Sequence, residues 1–353
     1  MQKHLIFGIA AAALLVTGGV TPAAAMDTYD SKIVAAAKKE GEVVVYHSVN
    51  RKVLKTLCTA YEKKFGIKAK CTRKGTGGII KMITADNMAG IKKCDIISVG
   101  DKGMFLIWKK KKMIQPYKSV NLNKMRPDLI DADGWHHPAR LTYYGISYST
   151  KKVKASEAPK DWDDIFDPKW KGKLGVVNPR TSGPGRLWLA GMIKKYGWDY
   201  FVKLSKMKPL MIKSSSTAAK LLIRGEVSVI VPGSDHGVSK RKKKKQPVAL
   251  VYPKGGLLGK DSRVAICDGA PNINAARLWI DFETSLEGQA IVTGVGAYPP
   301  TRTDVKLGYS KFRPGPEVYS KKNSTWVSPE HHRDNSPAER SKFEKIMKKG
   351  MGM

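Results

Sequence analysis

The feature that most constrains this chain is a repeated alternation of short apolar runs with amphipathic segments. Glu42-Val43-Val44-Val45-Tyr46 reads as a strand opened by Gly41, followed by Val53, Leu54, Leu57, Ala60 and Tyr61 at helical spacing and a stop at Gly66. Ile67 to Cys71 is a second strand, Ile79, Ile80 and Ile83 sit on a second helix, and Asp95 to Val99 is a third strand. The plan recurs: strand Leu174 to Val177, a helix through Leu187, Ala190 and Ile193, an extended Pro209 to Ile212, a helix through Leu221 and Leu222, and strand Val227 to Val231. Short strands alternating with helices imply mainly parallel α/β sheets. Two such units predict two lobes. Strand-like Thr142 to Tyr148 leads from the first to the second, and Pro247 to Tyr252 and Val264 to Cys267 lead back. Helices fit Asn272 to Glu283, Glu287 to Gly294, and a last one near Pro337 to Lys349 in a polar, basic tail.

The N-terminus is of another kind. A basic Met1-Gln2-Lys3 precedes the apolar run Leu5 to Val20, and Ala23-Ala24-Ala25 closes it with an A-x-A pattern. Residues 1–25 therefore read as a cleaved secretory signal with Met26 the first mature residue, and the mature chain is expected in the periplasm. The four cysteines, Cys58, Cys71, Cys94 and Cys267, permit two disulfides in three connectivities, or four buried thiols; no metal spacing joins them.

The balance of 64 Lys+Arg against 30 Asp+Glu gives a formal net charge of +34, which attracts anions of any kind. Two basic runs, Lys109 to Lys112 and Lys240 to Lys245, read as solvated helix ends or loops; the other reading is a polyanion surface. They lack interleaved aromatics, and no DNA-binding motif is present, so specific nucleic acid is not an expected partner. There is no G-x-x-x-x-G-K-[ST], H-E-x-x-H or G-x-S-x-G, so no enzyme is expected. The histidine pairs His136-His137 and His331-His332 read as solvated or capping groups.

What recurs instead is small polar residues just before helices: Ser48 and Asn50, Thr76-Gly77, Thr181-Ser182, and Ser214 to Ser216. Such residues cap helices in any protein. A helix start also presents free N–H groups and a positive dipole end, and with added hydroxyls it holds phosphate or carboxylate. In open α/β sheets these turns gather at the carboxyl edge of the strands, where ligands bind.

In order and spacing the segments resemble a periplasmic solute-binding protein of an ABC importer, in the extracellular solute-binding family that includes the ferric-iron-binding proteins and their organophosphate-binding relatives. The resemblance rests on Tyr61 to Ile67, Gly145-Ile146-Ser147-Tyr148, Pro159 to Ile165, Asp167 to Leu174, Gly225-Glu226-Val227, Val251 to Gly256 and Arg302 to Val305. It implies two mainly parallel α/β lobes of the type II-like plan, joined by a two-strand hinge around a central ligand cleft. Lobe 1 is expected over 26–140 and 264–305, lobe 2 over 141–263, and the tail over 306–353. It implies a monomer that captures a small solute and hands it to a membrane permease, with no cofactor of its own. The expected ligand residues are Ser48, Asn50, Thr76, Gly77, Tyr148, Thr181, Ser182, Ser215, Asp235 and His236. Where ferric-binding members place a Tyr pair, this chain has Asp235-His236; the hydroxyl-rich helix starts favour a small anionic or polar solute of organophosphate, phosphonate or carboxylate type. The alternative cargo is Fe3+ or an iron chelate, with Tyr148, Asp235 and His236 as ligands. An exported polyanion-binding protein is the second alternative.

Overall fold

The computed structural model describes residues 28–314, 316–319, 324–326 and 337–352. The signal segment 1–25 and the pair His331-His332 lie outside the described residues. The chain opens with α1 (Ser31–Glu40), β1 (Glu42–His47), α2 (Arg51–Phe65), β2 (Lys68–Arg73), α3 (Thr76–Met88), β3 (Ile96–Val99) and α4 (Lys102–Lys110). Gly41 and Gly66 end α1 and α2 in the left-handed region, at φ 76° and 73°, where a side chain would be strained. A short β4 (Ile114–Gln115) precedes the long β5 (His137–Ser149).

The second unit is β6 (Leu174–Val177), α5 (Gly183–Tyr196), α6 (Asp199–Lys206), β7 (Leu210–Ile212), α7 (Ser215–Arg224), β8 (Val229–Ser234), α8 (Asp235–Lys243) and β9 (Val248–Val251). Then come β10 (Leu257–Cys267), α9 (Ile273–Thr284), α10 (Leu286–Gly296), β11 (Ser324–Trp326) and α11 (Pro337–Met351).

The strands run β2-β1-β3-β10-β5-β8-β6-β7. β2, β1 and β3 are parallel, as are β8, β6 and β7. The two parallel sets are joined by β10 and β5, which pair antiparallel with each other and with the sets they border. The α/β fold in two lobes read from the sequence is thus present, with an antiparallel ribbon at the junction. β10 is longer than the Val264 to Cys267 run suggested: it begins at Leu257, through the polar stretch Gly259 to Arg263.

Each lobe has its own core. In the first, Val43, Val45, Leu57, Tyr61, Trp279 and Phe282 are fully buried. In the second, Trp162, Trp188, Phe201 and Leu204 are, and α11 adds Phe343 and Met347 to them. Disulfides join Cys58 to Cys71 and Cys94 to Cys267, settling both the state and the connectivity the sequence left open.

Candidate functional site

The carboxyl ends of β1, β2 and β3 lead into α2, α3 and α4, and those of β6, β7 and β8 into α5, α7 and α8. The two rows of turns flank the β5/β10 ribbon. Register assigns the ribbon's faces. Arg140 pairs with Ser262, Thr142 with Lys260, and Tyr144 with Leu258, so all six side chains share one face. The alternate residues Leu141, Tyr143 and Leu257 point the other way, into a small core with Leu129 and Tyr319. The front face therefore carries Arg140, Thr142, Lys260 and Ser262 as a floor between the lobes. Ser48 approaches it from lobe 1, its Oγ 3.5 Å from Arg140 Nη2.

The turn that carries Ser48 and Asn50 is fixed from behind. His47 Nδ1 accepts the Val49 N–H at 2.9 Å, so Nε2 carries the proton and donates to Glu283 Oε1 at 3.0 Å. Burial pushes the Glu283 carboxyl up, but His47, Trp279 and Arg140 outweigh it and hold it below its ordinary range. Asn50 caps α2 through Lys52 N–H.

A cavity of about 360 Å³ opens between α7 and α8 and reaches across to Asn50. Its polar lining is Ser147, Ser215, Ser216, Ser234, His236, Lys240, Arg241, Lys244 and Gln246, without a carboxylate. Ser215 Oγ is buried there with no hydrogen-bond partner among the described residues. Burial first, then Lys52, Arg241 and Lys244, hold the Lys240 ammonium below its ordinary value, as crowded cations do when no anion lies among them. The run Lys240 to Lys245 is thus not simply a solvated helix end. Lys240, Arg241 and Lys244 line the cavity, while Lys242 and Lys243 stand over the rings of Phe312 and Tyr309. The other run stays at the surface at the end of α4, where Lys109 pairs with Asp133 at 3.0 Å.

The expected site residues divide. Asn50, Ser215 and His236 line the cavity, and Ser48 stands at the floor. Thr76 begins α3 and accepts the Gly100 N–H, while Gly77 is exposed. Ser182 is buried ahead of α5, where Gly185 packs so close that a Cβ would lie 2.4 Å from the Val177 carbonyl oxygen. Thr181 Oγ1 is spent on the Lys213 carbonyl, tying the β6–α5 turn to the β7–α7 turn.

Two expectations are corrected by placement. Tyr148 follows Ser147, which lines the cavity, but successive residues of a strand point to opposite faces. Its side chain packs in the lobe 2 core and is not part of the lining. Asp235 is fully buried and engaged: Tyr252 donates to Oδ1 at 2.7 Å, and Arg313 forms an ion pair at 2.9 Å. His236 bonds Ser234 Oγ through Nδ1 at 3.0 Å and packs on Tyr298 with ring centroids 4.5 Å apart. Burial, then Arg313, Lys240 and Arg140, push it down to about 3, so it is a neutral imidazole at neutral pH. These three residues do not converge as an iron site would require. Among the described residues no group of three His, Cys, Asp or Glu side chains converges as a metal site.

Arg140, Lys260 and Ser262 went unread in the sequence. Their only signal is polar residues alternating along a strand, which resembles an ordinary solvated face.

Known proteins share this architecture. The family model for bacterial extracellular solute-binding proteins matches residues 92–315, more than half of the chain. A Salmonella typhi protein, provisionally named a 2-aminoethylphosphonate-binding periplasmic protein, is 25% identical over 186 residues, 50% of this chain and 54% of that relative. The match thus spans about half the length of that relative. Iron-bound HitA from Pseudomonas aeruginosa superposes with a TM-score of 0.71 at 19% identity, covering 88% of this chain and 99% of HitA. AfuA from Actinobacillus pleuropneumoniae, with exogenous fructose-6-phosphate bound, gives 0.69 at 22% identity, covering 89% and 99%. At these identities the two structures establish the fold, and the family match establishes the membership: this chain belongs to the bacterial extracellular solute-binding proteins.

Proposed function

We propose that this chain is the solute-capturing component of an ABC importer, exported through its N-terminal 25-residue signal, and that it takes a small anion of the phosphate-ester, phosphonate or carboxylate type. The observation that carries this reading is the carboxylate-free cavity with Lys240, Arg241 and Lys244 beside the hydroxyl-rich start of α7. Desolvated cations and free N–H groups favour an anion there. Both lobes touch the cavity, Asn50 from one and α7 and α8 from the other, so a bound solute favours the closed arrangement over the open one. Release to a membrane permease is then reopening, and the solute leaves chemically unchanged. The phosphonate and sugar phosphate named for relatives support the same class. Iron finds less support, since Tyr148 packs in the lobe 2 core and Asp235 is held by Arg313.

The test is a thermal-shift screen of the mature protein with phosphate esters, phosphonates, dicarboxylates, ferric citrate and polyamines at two salt concentrations. A binder at a hundredfold excess over its Kd stabilises by about 2.7 kcal/mol. A salt-tolerant shift with one small anion is expected. A shift confined to ferric citrate, with a tyrosinate-to-iron colour band, overturns the anion reading, as does binding only to polyanions that fades with salt.

A further inference from the structure

The floor of the cleft holds a second set of donors, separate from the cavity between α7 and α8. Arg140 is 7% exposed, and its Nη1 finds no partner among the described residues. Ser262, opposite it in register, is fully buried and its Oγ is likewise unpartnered. Lys260 lies beside them with its Nζ against Gly100: a Cβ at that position would sit 3.1 Å from Nζ and 3.4 Å from Ser262 Oγ. Glycine keeps that space open at the end of β3. No carboxylate among the described residues pairs with Lys260. Burial, then Arg140, push its ammonium down to about 8, with Arg186 adding to the effect; Asp101 and Asp261 oppose it without cancelling it. The carboxylate of Glu283, which feels Arg140, is already bound by His47 and Trp279. The span between this set and the cavity is uncharged. Tyr298 packs on neutral His236 on one side, and Arg140 stands 5.5 Å over its ring.

We propose that Arg140, Lys260 and Ser262 form a second anion subsite, so that the solute is anionic at both ends: a phosphoryl or phosphonyl group in one subsite and a second carboxylate or phosphoryl group in the other. The proposal rests on the anion-capture reading and sharpens it. The Tyr298 ring touches both sets, Arg140 of one and His236 of the other, and a two-ended solute gives each set its own anion. A buried donor without an acceptor is unfavourable, and a second anionic group supplies the missing acceptors.

The experiment is calorimetric titration of the mature protein with phosphonoalkanoates of two to four methylenes, each matched with the n-alkylphosphonate of equal length. The two-ended compound of best-fitting length is expected to bind at least about tenfold tighter than its match. Lys260→Met should bring that ratio near one while leaving the alkylphosphonate within about twofold of wild type. Ser262→Ala, a smaller change that keeps the charge, should lower the ratio in part. Lys244→Met should weaken both compounds together. Equal affinity for both compounds in wild type, or a Lys260→Met variant that weakens both alike, overturns the second subsite and leaves the anion-capture reading standing. Binding of neither series overturns the second subsite, and if no small anion shifts the thermal midpoint either, the anion-capture reading falls with it.

Discussion

The two lobes share a strand–helix plan and are held together by different means. All four cysteines lie in lobe 1, one bridge joining α2 to β2 and the other the entry of β3 to the end of β10. Lobe 2 has no covalent brace. It has a dense aromatic core instead, with Trp188, Tyr200 and Phe201 edge to face, closed by Phe343 of α11 against Phe201 at 5.4 Å. The cationic wall formed by Lys240, Arg241 and Lys244 stands on this packing-held lobe. The same topology accepts either a cross-link or a larger apolar core. The lobe bearing the mutually repelling charges depends on side-chain packing alone.

The largest expected effect is on lobe 1. Cys94 and Cys267 are separated by 173 residues, and removing that bridge (Cys94→Ser with Cys267→Ser) should lower stability by about 5 kcal/mol through the freed unfolded chain. Urea unfolding followed by probes in each lobe checks this; a loss under about 1 kcal/mol would mean that packing alone holds lobe 1 as well. Next, Phe343→Ala should cost about 3–4 kcal/mol, because a ring 1% exposed is removed and the space left cannot fully collapse. That loss should fall on the lobe 2 probe; if lobe 1 unfolds earlier too, the lobes are one cooperative unit.

The smallest effect of any one residue is acid sensitivity. Burial holds His136 and His137 down to about 4 and His236 to about 3, all below the ordinary 6.5. The unfolded chain thus binds protons that the folded chain refuses. The stability is fully present above pH 6.5 and is lost as pH falls toward 4, at about 1–2 kcal/mol per histidine by pH 5. His236→Gln should flatten the lobe 2 part of the thermal-midpoint profile and leave the lobe 1 part unchanged. An unchanged slope in lobe 2 would show that His236 accepts a proton in the folded state.

The alternation of strands and helices was legible because each β1-type strand is an apolar run and each helix repeats its apolar residues every three or four. Asn50 and Ser215 were legible as helix starts, which chain chemistry marks locally. The Cys94–Cys267 pairing was not, since partners 173 residues apart meet only through the order of strands. Lys260 and Ser262 were hidden for a related reason. Gly259 to Arg263 reads as a loop when scanned for buried apolar residues, yet it is strand whose polar side faces a cleft. Tyr148 was misplaced because a matching tyrosine in the sequence does not say which face of the strand it takes; its neighbour Ser147 is the one that reaches the cavity.

The register of the β5/β10 ribbon has a consequence for how this chain tolerates change. Arg140 and Thr142 face the cleft, and the alternate residues Leu141 and Tyr143 pack with Tyr319. Inserting or deleting one residue there would exchange the two sets, turning Leu141 and Tyr143 toward the solute and Arg140 and Thr142 into the apolar packing. The cleft's chemistry is therefore encoded as parity along these strands, so a length change of one in the ribbon erases what a substitution at a single floor position only weakens.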